Sequence, residues 1–325
     1  MKITIATEHD SKTLNGNSVR PLWEFKALKR KKYSNVEFLD NFTEEKISGI
    51  TENVIHAQQL SARFLKKEKY ISDIHGLEYF QSYQLSKGFP ITSWKKWAFI
   101  AKSKYYEKLE KKIFQNALHL ICAGESIYEK VKKFQNATIV RNAVFPEEFT
   151  PSTCSDLRIA LVGPFLPGKI NYMGVEIIKN VVKKLENIEF VFIGKTDKSF
   201  IEKLNFQNVK FLGEIENYNQ TLMSCSVLFA PFPDFAKYLG SKNKFLEAAS
   251  SQIPIVTTPS GAIDFNNELL CIGKTIDELV YHIQYLKDEN IRKDLGKKLR
   301  KEIEIKHNAM IEVEKIIKIY DEILK

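Results

Sequence analysis

The stretch Gly240-Ser241-Lys242-Asn243-Lys244-Phe245-Leu246-Glu247-Ala248-Ala249-Ser250-Ser251-Gln252-Ile253-Pro254-Ile255-Val256 decides the fold. It reads as a helix, then a tight turn, then a buried strand over Ile253–Val256. A helix returning into a short apolar strand is the repeating unit of a parallel sheet covered by helices. Lys244 and Glu247 are three residues apart, so they share one helical face near its start. A helix N-terminus already favours anions. A lysine there, with a carboxylate one turn on, suits a ligand bearing both a phosphate and hydroxyls, such as a nucleoside diphosphate with its ribose. An ordinary i,i+3 ion pair is the other reading of these two residues.

The same alternation extends outward in both directions. Strand candidates in the first half are Ile3–Thr7, Val36–Leu39, Asn53–His56, Tyr70–Ile74, Leu118–Cys122 and Ala137–Val140. In the second half they are Arg158–Val162, Glu189–Ile193, Val209–Phe211, Val227–Ala230, Ile253–Val256 and Leu269–Ile272. Helical patterns such as Val175–Leu185 and Ile276–Lys287 fill the gaps. The fold class expected is α/β, with two Rossmann-like doubly wound domains facing a cleft. The expected division is residues 1–145 as the first domain, 146–156 as a linker rich in Pro and Ser, and 157–305 as the second domain. Residues 306–325 form a last helix that packs back toward the first domain.

At 325 residues the chain is too long for one typical core and fits two domains. With 44% hydrophobic and 27% charged residues it is globular rather than disordered. The four cysteines, Cys122, Cys154, Cys225 and Cys271, show no metal-binding or disulfide spacing and read as reduced thiols, three of them buried. A strand starts at Ile3, which leaves no room for a secretory signal, and no apolar run approaches membrane-spanning length. The expected location is cytoplasmic. Charge is uneven. Residues 1–152 hold 25 Lys and Arg against 17 Asp and Glu, a net of +8, while the rest hold 24 against 23, a net of +1. Such a field attracts an acidic partner.

In the second half, Leu161-Val162-Gly163-Pro164-Phe165-Leu166-Pro167-Gly168-Lys169 places glycines and a lysine after a strand, and Phe192-Ile193-Gly194-Lys195 repeats the device. Each could equally be a plain βα turn. Thr257-Thr258-Pro259-Ser260-Gly261-Ala262-Ile263 forms a loop whose backbone N–H groups could cradle oxygen atoms. In this order the pieces resemble the C-terminal domain of glycosyltransferases of the GT-B architecture, most closely the family-4-like group (glycosyl transferases group 1). Asn243-Lys244-Phe245-Leu246-Glu247 followed by Gln252-Ile253-Pro254-Ile255-Val256 carries the resemblance. It implies that Glu247 holds ribose hydroxyls, that Lys244 and Lys169 hold the diphosphate, and that Gly163, Gly194, Ser260 and Gly261 line the donor site. Three positions depart from the family pattern: Leu239 stands where an acid is common, Pro164 where an arginine is, and Gln252 where a small residue is.

The first half supports the same resemblance. Ile71-Ser72-Asp73-Ile74-His75-Gly76-Leu77 looks like the family's strand ending in His-Gly. The resemblance makes His75 a catalytic candidate near the donor sugar; a structural histidine capping a helix is the other reading. His56 ends the preceding strand candidate and is a second cleft candidate. Gly16 and Asn17, in Leu14-Asn15-Gly16-Asn17-Ser18, sit where the family has its acceptor-facing loop. Val140–Phe145 resembles the family's crossover between domains. In Lys87–Lys112, Trp94 and Trp97 flank Lys95 and Lys96. This is the pattern of an interfacial helix on an anionic membrane, or of an amphipathic helix packed on its own domain.

The activity implied is transfer of a sugar from a UDP- or GDP-linked donor to a glycan or lipid-linked acceptor in cell envelope polysaccharide biosynthesis. The resemblance makes retention the default. Without an Asp-x-Asp motif or a His/carboxylate cluster at ligand spacing, no metal and no other cofactor is expected. Rival readings are a sugar-nucleotide epimerase, which would need cleft carboxylates as acid and base, and a catalytically inactive GT-B scaffold. Nucleic acid is not an expected partner: no nucleic-acid-binding signature is present.

Overall fold

Why the chain turns every ten to twenty residues is visible in its strands, which are short and, away from the sheet edges, apolar and largely buried. Strands covered on both faces pair in parallel and need helical crossovers. The computed structural model describes residues 2–10, 16–50, 54–237, 240 and 242–325, without the side chains of residues 16, 17, 48 and 49. Leu14, Asn15, Leu239 and Ser241 from the sequence reading lie outside the described residues. The chain divides into two units. One comprises Met1–Phe145, Leu239–Asn243 and Ile305–Lys325; the other comprises Pro146–Tyr238 and Lys244–Glu304.

The first unit carries β1 (Ile3–Ala6), α1 (Gly16–Arg30), β2 (Val36–Leu39), β3 (Val54–Gln58), β4 (Tyr70–Ile74), α2 (Glu78–Ser86), α3 (Trp94–Asn116), β5 (His119–Cys122), α4 (Glu125–Val131) and β6 (Ala137–Ile139). Its six strands run parallel in the order β2-β1-β3-β4-β5-β6. The order reverses between β1 and β3, the kind of place where open sheets bind ligands.

The second unit carries β7 (Arg158–Val162), α5 (Ile170–Met173), α6 (Val175–Lys184), β8 (Glu189–Ile193), α7 (Lys198–Lys203), β9 (Val209–Gly213), α8 (Tyr218–Met223), β10 (Val227–Ala230), α9 (Asn243–Ser250), β11 (Ile255–Thr257), β12 (Cys271–Ile272) and α10 (Ile276–Tyr285). The strand order β12-β11-β10-β7-β8-β9 is that of a dinucleotide-binding sheet, with its switch point between β7 and β10. The last helices are α11 (Glu289–Lys306) and α12 (Ala309–Leu324).

Packing explains the grouping of the chain's end with the first unit. Ala309, Val313, Ile316 and Tyr320 fall on one face of α12 and join Ile3, Ile5, Val54 and Ile71 in the first core. Each such side chain, fully buried, contributes roughly 1.5–3 kcal/mol. In the second core, Val175, Ile178 and Val182 of α6 and Leu279 and Ile283 of α10 cover Ile159, Phe190, Phe192 and Phe229.

Seven strands begin or end elsewhere than the sequence pattern places them: β1, β5, β6 and β9 by one or two residues at one end, and β3, β11 and β12 for reasons visible in the structure. β3 continues to Gln58, so His56 is inside the strand rather than at its end. β11 starts at Ile255 because Pro254 has no N–H to give the ladder. Before β12, Asn267–Leu269 is a 3-10 turn capped by the Asn266 side chain, which shortens that strand to two residues. Gln252, in the turn before β11, has φ 57°, a left-handed value that glycine adopts more readily.

Candidate active site

In the second unit the carboxyl ends of neighbouring strands meet as glycines. Gly163 follows β7, Gly194 follows β8, and Gly213 ends β9. The Gly163 N–H donates to Ile193 O at 2.8 Å and the Gly194 N–H to Gly213 O at 2.7 Å. A Cβ on Gly194, whose φ is +115°, would lie 3.4 Å from Gly163 Cα. Gly163 and Gly194 are therefore brought together, and a Cβ on Gly163 would meet the Phe165 ring at 2.8 Å.

Lys244, in the first turn of α9, reaches this rim. Its Nζ donates to Val162 O at 3.2 Å and to Asn171 Oδ1 at 2.7 Å, and lies 4.9 Å from the Phe232 ring centroid. The Asn171 amide in turn donates to Pro164 O at 3.3 Å. Lys244, Asn171 and Val162 line a shallow depression with Pro231 and Ala230 of the β10 end, so the ammonium sits at the switch point of this sheet. Lys169 is exposed just before α5, after Gly168 at φ +80°, and its ammonium has no ion-pair partner among the described residues.

Glu247, one turn along α9, accepts a 2.6 Å hydrogen bond from the Tyr218 hydroxyl of α8. Burial pushes the Glu247 carboxyl above its usual range, while the Tyr218 hydrogen bond and the Lys244 charge pull it back. The Tyr218 hydroxyl is driven well up by burial and by that same carboxylate. Tyr218 and Asn171 were not read from the sequence. No spacing ties them to α9, and only the crossovers of the sheet bring them there.

Ser260 and Gly261 differ from the expected oxygen cradle. The N–H groups of Gly261 and Ala262 both turn back to Thr258 O, at 2.9 and 3.3 Å, so the turn itself uses them. Ser260 Oγ donates to Asp234 O at 3.3 Å. A Cβ on Gly261 would collide with the Phe232 ring at 2.6 Å, so this glycine serves packing.

The first unit gathers a buried polar network under β3 and β4. His56, Gln58 and Asp73 project to one face, since His56 pairs with Ile71 and Gln58 with Asp73 in the ladder. Arg20 Nε lies 3.0 Å from Asp73 Oδ1 and 3.2 Å from Glu24 Oε1, all three side chains being at most 1% exposed. Burial raises the Asp73 carboxyl, but the Arg20 charge and the His56 hydrogen bond outweigh it and hold Asp73 ionised. Glu24 is pushed well up by burial and by the Asp73 charge, against the pull of Arg20.

His56 is a correction to the sequence reading. It is fully buried, with Nδ1 2.6 Å from the Tyr320 hydroxyl and Nε2 3.1 Å from Asp73 Oδ2. Both ring nitrogens are used inside the fold, which makes it a network residue rather than a cleft residue. Glu24, His56 and Asp73 bring ligand-type atoms within 4.8 Å of one another, a His/carboxylate cluster that the sequence spacing did not reveal. The Arg20 guanidinium already supplies the positive charge there.

His75 follows β4. Its Nε2 meets the Gln58 side-chain oxygen and lies 3.9 Å from Asp73 Oδ1. Burial drives its pKa down to about 3 against the pull of Asp73, so the ring is neutral. Gly16 and Asn17 open α1 instead of lying in a loop, and their side chains lie outside the described residues. On α3, Trp94 is 73% and Trp97 55% exposed; Lys95 is exposed and Lys96 half-buried. Among the described residues, no helix is long and apolar enough to cross a membrane.

Comparison with known proteins finds a family match in the second unit and a shared fold over the whole chain. The profile of the family described as "Glycosyl transferases group 1" matches residues 156–289. Among solved structures, sucrose-phosphate synthase from Thermosynechococcus elongatus is similar at 15% identity and a TM-score of 0.76, over 99% of each chain. WaaG, a glycosyltransferase involved in lipopolysaccharide biosynthesis, is similar at 10% identity and a TM-score of 0.71, over 98% of this chain and 99% of that one. HepE from Anabaena, in complex with UDP and glucose, is similar at 13% identity and a TM-score of 0.66, over 99% of each chain. A match to TarM covers 92% of this chain but only 57% of TarM, so the chain spans less than two thirds of that protein's length. No curated protein sequence matches. Residues 156–289 thus match the group 1 glycosyl transferases, and the chain as a whole has the GT-B fold of the glycosyltransferases to which it is similar.

Proposed function

We propose that this enzyme moves a sugar from a UDP- or GDP-linked donor to a glycan or lipid-linked acceptor, with retention and without a metal ion. The observation that carries the proposal is the Lys244 ammonium fixed at the β7–β10 switch point, with Glu247 one turn further along the same helix. Charge builds on the leaving diphosphate as the glycosidic bond breaks, and preorganised cations stabilise it. Lys244 and the exposed Lys169 are suited to that task, beside the positive end of α9. Each charge-assisted contact contributes roughly 1.5–3 kcal/mol. Glu247, braced by Tyr218, is suited to accept hydrogen bonds from two ribose hydroxyls. The family resemblance makes His75, in the first unit, the catalytic candidate. Retention is the outcome implied by the family resemblance.

Several neighbours support the donor and acceptor classes. HepE structures contain UDP or UDP-glucose, and a TarM structure contains UDP together with glycan compounds. WaaG acts in lipopolysaccharide biosynthesis. An envelope glycan or its lipid-linked precursor is the corresponding acceptor here. The exposed pair Trp94 and Trp97, beside Lys95 and Lys96, favours a protein that works in the cytoplasm against the anionic inner face of the membrane.

The test is an assay of the purified protein with a panel of UDP- and GDP-sugars, scoring transfer, hydrolysis and interconversion. Transfer or slow hydrolysis of one donor supports the reading. Interconversion of two sugar nucleotides would instead favour the epimerase alternative, and binding without turnover of any donor would favour an inactive scaffold.

A further inference from the structure

The His75 side chain is 8% exposed, and its Nδ1 is buried with no hydrogen-bond partner among the described residues. A buried nitrogen left unpaired costs about 1–3 kcal/mol, so this one points to a partner other than the described residues. The other nitrogen, Nε2, faces the side-chain oxygen of Gln58.

The orientation of that amide is fixed from behind. Gln58 Nε2 donates to Glu24 Oε2 at 2.8 Å and lies 3.4 Å from Asp73 Oδ2. Turning the amide over would set its oxygen against the ionised Asp73. The nitrogen therefore faces the carboxyl groups, and the oxygen is left for His75. An acceptor opposite Nε2 requires the ring proton to be on Nε2, which leaves the lone pair on Nδ1.

We propose that Gln58 is a positioning residue: it holds His75 as the Nε2–H tautomer, so that Nδ1 accepts a hydrogen bond from a hydroxyl of the bound carbohydrate. This rests on His75 facing substrate, as the proposed function has it. The ring stays neutral throughout the physiological range because burial depresses its pKa to about 3. Nδ1 thus takes a hydrogen bond and not a proton, and its part is to orient the sugar and to reject one that lacks the hydroxyl. A deoxy substrate would leave the nitrogen unpaired again, and sites built to pair a hydroxyl discriminate strongly on that ground.

Long-range proton–nitrogen correlation spectra of the histidine rings read the tautomer directly, with the His75 signals identified by their loss in His75→Ala. The wild-type protein is expected to show the Nε2–H form. Gln58→Met is expected to show a mixture of tautomers and a kcat/KM for transfer lowered about tenfold. Gln58→Glu, which keeps an acceptor opposite Nε2, is expected to retain the Nε2–H signature. An Nδ1–H ring in the wild type, or an unchanged tautomer in Gln58→Met, overturns the proposal. If Gln58→Met does not fold, the wild-type and Gln58→Glu spectra decide it: loss of the Nε2–H signature in a folded Gln58→Glu overturns it. If the tautomers are as expected but His75→Ala transfers sugar at the wild-type rate, Gln58 still sets the tautomer and the substrate-facing role of His75 falls.

Discussion

The hydroxyl of Tyr218 donates a 2.6 Å hydrogen bond to Oε2 of Glu247, joining α8 to α9 at the end of the second sheet. The bond offsets part of the burial that pushes the Glu247 carboxyl upward. It engages one of the two carboxyl oxygens.

Tyr218→Phe removes that offset while keeping the ring. The Glu247 carboxyl should rise further, and a proton on it weakens its acceptance of ribose hydroxyls. Donor affinity is expected to fall by about three- to tenfold at neutral pH. The deficit should grow as the pH is lowered, because the variant's carboxyl protonates first. Titrations of donor binding from pH 5 to 8 measure it. An affinity equal to that of the wild type across this range would remove Tyr218 from the site.

Glu110 of α3 provides a pH signature of folding. It is buried, and its carboxyl accepts the N–H groups of Glu78 and Tyr79 at 2.8 and 3.1 Å, at the start of α2. Burial raises its pKa to about 7 from the usual 4.5, although those two N–H groups pull it down. The folded form therefore binds more protons than the unfolded chain between these values. Its contribution is greatest below about pH 4.5 and is lost as the pH rises through about 7. The melting temperature of Glu110→Gln relative to wild type should accordingly improve from pH 5 to pH 8. A constant difference would show that Glu110 does not titrate in that window.

Chelation tests the metal-free account. Lys244 and Lys169 neutralise the leaving group in this reading, so EDTA should leave the transfer rate unchanged. A loss restored by magnesium or manganese would require a cation that the account does not include.

The exposed tryptophans should matter only at a membrane. The protein is expected to sediment with anionic vesicles at low salt and to release at high salt, because screening weakens surface charge attraction. Trp94→Ala combined with Trp97→Ala should reduce sedimentation without changing transfer to a soluble acceptor. No sedimentation of wild-type protein at low salt would leave these residues to local packing, such as the 3.0 Å bond from Trp97 Nε1 to Ile91 O.

Much of the fold was legible because its signal is local. Runs such as Glu189–Ile193 and Tyr70–Ile74 are buried along their length and flanked by turn residues, so each announces a strand alone. Lys244 and Glu247 were legible as a pair because one helix carries both. The network around Asp73 was not. Arg20 and Glu24 come from α1, His56 and Gln58 from β3, and Tyr320 from the last helix, and no spacing links them. His56 was misread for the same reason: a strand two residues longer than its apolar pattern moved it from an end to the interior. The Ser260-Gly261 turn looked like an oxygen cradle because sequence shows which N–H groups exist but not which of them the turn already uses.

The central claim is that Lys244 and Glu247 hold the nucleotide part of a sugar donor, and calorimetric titration of UDP and GDP tests it most directly. Wild-type protein should bind one of the two nucleotides. Lys244→Ala should weaken the diphosphate by about tenfold or more, and Glu247→Ala should weaken the nucleotide comparably, both with the melting temperature of the fold preserved. Wild-type affinity in both folded variants would contradict the account.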